Sequence, residues 1–153
     1  MTFNTPATAL KRECSEDKPQ NWLGPTPFVD SRHPSIKTQA AVLTNGLSDQ
    51  SQKAMAIFRF VRDDIKFGFS SDFWHNKASE VLYKGVGYCN TKSTLFVALL
   101  RASDIPARQV FVDIKADVLH GIIDPGTPYV DHSYVELFLN DKWIMTDAYI
   151  VDE

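Results

Sequence analysis

Residues 85 to 101 read GVGYCNTKSTLFVALLR, from Gly85 through Cys89 to Arg101, and set one cysteine between a glycine-punctuated turn and a long apolar run. The run predicts a helix over Asn90 to Ala102. Leu95, Ala98, Leu99 and Ala102 share one face, and Phe96 and Leu100 widen it until most of the circumference is apolar. Gly85 and Gly87 let the chain turn sharply on approach and leave room near the sulfur. Cys89 then stands at the helix start, where free N–H groups and the positive end of the helix dipole stabilise a thiolate. Cysteine is also a small residue that packs well in cores. This stretch alone therefore leaves two readings of Cys89 open, nucleophile or core.

Upstream, SIKTQAAVLTNG predicts a helix from Ser35 that stops at Asn45-Gly46. Asp49 caps a second helix, in which Ala54, Ile57, Phe58 and Val61 form the apolar stripe and Arg59, Arg62 and Asp63 face water. IKFGFS is a short extended piece, and a helical turn follows from Ser79. Downstream, Pro106 breaks the central helix and ARQVFVDI reads as a strand. HSYVELFL and KWIMTDAYI are two further strands around Asn140-Asp141. Helices come first and strands after, which indicates an α+β fold, with N-terminal helices and the Cys89 helix packed on a small antiparallel sheet. Pro6, Pro19, Pro25 and Pro27 mark residues 1–33 as an irregular lead segment, and residues 34–153 as the folded domain.

The hairpin decides between the two readings of Cys89. With Asn140 and Asp141 at its tip, Leu139 pairs with Lys142, Phe138 with Trp143, Glu136 with Met145, Tyr134 with Asp147 and His132 with Tyr149. His132 and Asp147 are then diagonal neighbours on one face, their backbones roughly 7–8 Å apart. A four-residue loop gives the same register; a three-residue loop puts the two on opposite faces. Cysteine, histidine and aspartate meet the needs of acyl transfer separately: the sulfur attacks, the imidazole moves protons, and the carboxylate fixes the ring's tautomer. Backbone N–H groups beside Cys89 are placed to receive an oxyanion.

Composition excludes several other classes. The chain has 153 residues, a net charge of -3 and scattered Lys and Arg, which argues against nucleic acid as partner. No apolar run of about eighteen residues occurs and no leader pattern opens the sequence, so a cytoplasmic protein with no membrane partner is expected. Cys14 and Cys89 are the two cysteines. Neither CxxC nor HExxH is present, and His33, His75, His120 and His132 are far apart, so neither a disulfide framework nor a metal site is expected, and no cofactor is called for.

ASEVLYKGVGYCNTKSTLFVALLRASDIPARQVFV followed by DHSYVELFLNDKWIMTDAY resembles the transglutaminase-like domain of the papain-like cysteine enzymes. The shared features are Gly-x-Cys, an apolar helix ending in Leu-Leu-Arg-Ala, Ile-Pro-Ala-Arg, and a histidine strand followed by Trp shortly before Asp. The resemblance spans roughly Ile36 to Asp147 and implies Cys89 as nucleophile, His132 as base and Asp147 as orienting carboxylate. It implies a cysteine protease, amidase or acyltransferase that works through a thioester on a peptide, protein or small amide, with water or an amine as acceptor. Asp104 stands where the pattern has Gly, Tyr134 where it often has Trp, and Asn90 where crosslinking transglutaminases tend to carry Trp. The Asn90 difference shifts the expectation from protein crosslinking toward hydrolysis. No acidic loop has calcium-ligand spacing. The contrasting expectation is a catalytically silent binding module of the same fold.

Trp74, Tyr88 and Tyr134 are candidates for the cleft, Trp74 also for an indole N–H aimed at an oxyanion, with core packing as the simpler alternative for each. Arg101 and Arg108 match structural arginines of the family, which implies ion pairs or carbonyl capping. His75 is a candidate extra acid or base; His33 and His120 lie in loop-like stretches without a catalytic role.

Overall fold

The computed structural model describes residues 18–69, 75–121 and 124–148. Cys14, Trp74 and Tyr149 lie outside them, as does most of the loop before Asn76. Helix α1 covers Pro34–Leu43, α2 Gln50–Arg59, α3 Ala78–Lys84 and α4 Cys89–Ala102. Two short strands, β1 (Lys66–Phe67) and β2 (Val86–Gly87), pair in parallel, and β3 (Ala107–Lys115), β4 (Tyr129–Leu139) and β5 (Lys142–Thr146) form an antiparallel sheet in that order.

The local signals explain these boundaries. Proline at the first position of α1 needs no N–H there, and the Asp49 carboxylate accepts the Gln52 N–H at 2.9 Å to start α2. Gly85 ends α3 with φ +66°, a left-handed conformation that glycine adopts without a Cβ penalty. Asn140 and Asp141 both take positive φ, 51° and 61°. That is the type I′ turn whose twist suits a two-residue hairpin, and it sets Leu139 opposite Lys142 and Glu136 opposite Met145.

Helix α4 is the centre of the molecule. Every residue from Asn90 to Arg101 is buried, and α1, α2 and α3 pack around it while the three-stranded sheet covers another side. Leu95, Phe96, Leu99 and Leu100 meet Ile36, Ile57, Val61 and Val81 on the helical side and Val135 and Leu137 on the sheet. Burial of this kind stabilises by about 25 cal/mol per Å² of apolar surface.

One element departs from the regular reading of the sequence. The second helix does not run on to Ile65 as an α-helix; Phe60–Asp64 form a π-helical turn. The reason lies across the core, where Lys92 of α4, 1% exposed, donates from Nζ to the carbonyls of Ile65 (2.6 Å) and Arg62 (3.2 Å). A widened turn releases carbonyls from the helical ladder, and a buried ammonium takes them.

Residues 18–33 are held to the domain by the arginines. Buried Arg101 donates to the carbonyls of Gly24 and Ala107, the latter at 2.9 Å. Arg108 pairs with Glu136 at 2.7 Å and lies over the rings of Trp143 and Trp22. Both are therefore structural. Among the described residues no helix is long and apolar enough to cross a membrane.

Candidate active site

Cys89 is the first residue of α4, half-buried, preceded by Tyr88 in extended conformation. The Thr91 hydroxyl accepts the Tyr88 N–H at 3.0 Å and fixes the entry of the chain. Gly87 is required at this turn for a reason other than substrate room: a Cβ there would meet Thr91 Oγ1 at 2.7 Å and Lys92 Cγ at 3.2 Å. The Lys92 N–H reaches back to the Tyr88 carbonyl at 2.8 Å. Helix geometry gives the N–H groups before it, on Cys89, Asn90 and Thr91, no acceptor within the helix.

His132 comes from β4 and Asp147 from the residue after β5. The sheet brings them together: His132 Nε2 lies 2.7 Å from Asp147 Oδ2. Cys89 lies close enough to the same ring to raise its pKa, so carboxylate and sulfur both face the imidazole. With Nε2 engaged by Asp147, Nδ1 is the nitrogen left for the thiol. Asp147 first, and Cys89 second, push the His132 pKa up to about 10, against a lowering by burial.

The sign of that shift has a consequence. A folded-state imidazole that keeps its proton to about pH 10, against 6.5 unperturbed, stabilises the fold fully below pH 6.5, and the contribution fades as pH rises toward 10. Following the His132 ring by NMR should give a midpoint near 10 in the native protein and one displaced toward 6.5 by more than one unit in Asp147→Ala. An unchanged midpoint would remove the carboxylate from the account.

A polar network holds the start of α4 against the sheet. Gln109 of β3 donates from Nε2 to the Asn90 carbonyl (2.9 Å) and to Ser133 Oγ (2.8 Å), and Ser133 Oγ donates to the Cys89 carbonyl (3.4 Å). Thr94 Oγ1 donates to Gln109 Oε1 at 3.1 Å, and Ser93 Oγ to the Ser133 carbonyl at 3.2 Å. Ser133 follows His132 directly, so this network ties the strand that carries the imidazole to the turn that carries the sulfur. Sequence reading missed Gln109 and Ser133. Their signal was parity, since polar residues on the inward-facing register of two strands need buried partners.

Tyr88 is buried, and desolvation raises its hydroxyl pKa against a lowering by the Asn90 side chain. Its ring stacks at a tilt on Phe69, 5.5 Å between centroids. Tyr134 is half-buried, two residues along β4 from His132 and hence on the same face. His75 and His120 are exposed, and His33 caps α1 by accepting the Ser35 N–H. Among the described residues, no three His, Cys, Asp or Glu side chains gather as a metal shell would require.

The family model of the transglutaminase-like superfamily matches residues 37–148. No curated protein matches the chain. Among solved structures, a candidate cysteine protease from Cytophaga hutchinsonii superposes with a TM-score of 0.68 at 22% identity, over 83% of this chain and 40% of its own. A candidate protease from Parabacteroides distasonis gives 0.59 at 16%, over 80% and 25%. The periplasmic domain of TgpA from Pseudomonas aeruginosa gives 0.58 at 17%, over 85% and 48%. The chain thus spans less than half the length of each of these proteins, and at such identities the likeness is one of fold. With its core helix, its antiparallel sheet and a family match over well over half of its residues, this chain belongs to the transglutaminase-like superfamily.

Proposed function

We propose that the chain is a cysteine-dependent hydrolase or acyltransferase that acts on amide bonds of peptides, proteins or small amides, with Cys89, His132 and Asp147 as its catalytic residues. The observation that carries this reading is the position of the His132 ring, 2.7 Å from the Asp147 carboxylate and close enough to Cys89 for both to raise its pKa.

The chemistry runs in two halves. His132, which keeps its proton to about pH 10, stands as imidazolium beside the sulfur, and sulfur attacks the amide carbonyl carbon as the thiolate of that ion pair. The carbonyl oxygen becomes an oxyanion, received by N–H groups of the first turn of α4. His132 gives its proton to the amide nitrogen as the C–N bond breaks, which leaves a thioester and a free amine. Water or a second amine then attacks the thioester while the now neutral His132 takes its proton; the C–S bond breaks, and sulfur leaves as thiolate beside the restored imidazolium. Asp147 holds the ring in orientation throughout and favours its charged form. Which acceptor prevails depends on how well the cleft excludes water.

The test is intact-mass labelling with iodoacetamide near pH 6. Cys89 is expected to react far faster than Cys14, with one adduct formed before a second. Equal and slow labelling of both thiols would overturn the reading and favour a binding module that keeps the fold without the reaction.

A further inference from the structure

The residue after the nucleophile has a place in this site that neither the triad nor the polar network accounts for. Asn90 is 9% exposed. Its side-chain Nδ2 donates to Asp131 Oδ2 at 2.6 Å, and its Oδ1 lies 3.6 Å from Cys89 Sγ, where it accepts from the thiol. A carboxylate only accepts hydrogen bonds, so the NH₂ end of the amide must face Asp131. The oxygen end is then the one turned toward sulfur. The orientation of the amide is fixed by chemistry at its far end and does not depend on distinguishing nitrogen from oxygen.

That orientation matters to the sulfur. A carbonyl lone pair accepts from S–H but has nothing to accept from S⁻, and it repels that charge. The opposite orientation of the same amide would offer an N–H donor to the anion. Asp131 is exposed, lies next to His132 in sequence and pairs across the strands with Asp113. It is thus placed on the solvent side of the amide, while His132, backed by Asp147, meets the sulfur itself.

We propose that Asn90, held by Asp131, is a positioning residue that restrains the nucleophile: the clamp keeps a carbonyl acceptor rather than an N–H donor against the sulfur, and sets the reactivity of Cys89 below what His132 alone would give. This rests on the reading of Cys89 as nucleophile. It gives a role to an asparagine that is bonded at one end to a carboxylate and at the other faces the sulfur.

A double-mutant cycle tests it, with the iodoacetamide alkylation rate of Cys89 at pH 6 as readout on the full chain. Asp131→Ala should accelerate alkylation about fivefold, the worth of one hydrogen bond of ordinary strength. Asn90→Ala should also accelerate it, and adding Asp131→Ala in that background should change the rate by less than about twofold. Asn90→Ser repeats the cycle in case alanine at this buried site disturbs the fold, and melting curves check every variant. Two results would overturn the clamp: an Asp131→Ala rate no higher than that of the native protein, or an equal acceleration with and without Asn90, which would show direct charge repulsion. His132→Ala separates this failure from failure of the site. If it leaves the rate unchanged, the nucleophile reading falls; if it slows the rate while Asp131→Ala does nothing, the clamp alone falls.

Discussion

Replacing His132 by alanine is expected to lower amide turnover by about 10²–10⁴-fold, the range that a positioned proton-transfer group supplies. The same substitution should abolish the advantage of Cys89 over Cys14 in alkylation near pH 6. The two losses have one origin, because the ring that receives the thiol proton is also the ring that must protonate the departing amine. With alanine there, sulfur keeps its proton and the leaving group has no acid. Cys89→Ala should remove turnover and the acyl-enzyme together. Asp147→Ala should cost less than His132→Ala, because the ring persists and only its orientation and charge are weakened. Its loss should be accompanied by a change in pH dependence, as the carboxylate is the largest cause of the raised His132 pKa. The measurements are kcat on an amide substrate and the mass of the trapped thioester. Equal turnover by native and His132→Ala proteins would detach the histidine from the chemistry, wherever its ring lies.

The parts of the site that were legible in the sequence are those set by local rules. Alternation along HSYVELFL and the Asn140-Asp141 tip fix the hairpin register, and with it the meeting of His132 and Asp147, because turn chemistry and strand period leave one arrangement with the apolar residues inside. The helix that begins at Cys89 was legible for the same reason: its apolar content demanded burial and its glycines marked the start. What local rules could not give is partner choice at a distance. A lysine within a helix normally reads as solvated, yet Lys92 is buried against carbonyls 27 and 30 residues earlier. Asn90 reads as a polar start to a helix, and its link to Asp131, 41 residues on, depends on how α4 meets the sheet. Arg101 was legible only through the family pattern, which marks it as structural without naming the carbonyl of Gly24 as its partner.

Lys92→Met is expected to destabilise the protein by about 2–4 kcal/mol, since it leaves two buried carbonyls without their donor. The competing effects have opposite signs. Methionine nearly fills the space of the lysine stem and avoids the cost of burying an ammonium, which favours the variant. Against this, the carbonyls of Arg62 and Ile65 belong to a π-helical turn and its exit, and Lys92 is 1% exposed, so water does not readily replace it. The end of the α2 segment also concentrates negative helix-dipole potential, which an ammonium offsets and a thioether does not. The carbonyls should prevail. A loss of that size is a large share of the roughly 5–15 kcal/mol that holds a domain together, and at this chain length it corresponds to a melting temperature lower by about 10 °C. Denaturant unfolding measures it directly. The damage should reach Cys89 as well, because the Lys92 stem packs beside Gly87 at the approach to the sulfur. A variant as stable as the native protein would mean that burying the ammonium costs as much as its bonds return, and the π turn would then need another cause.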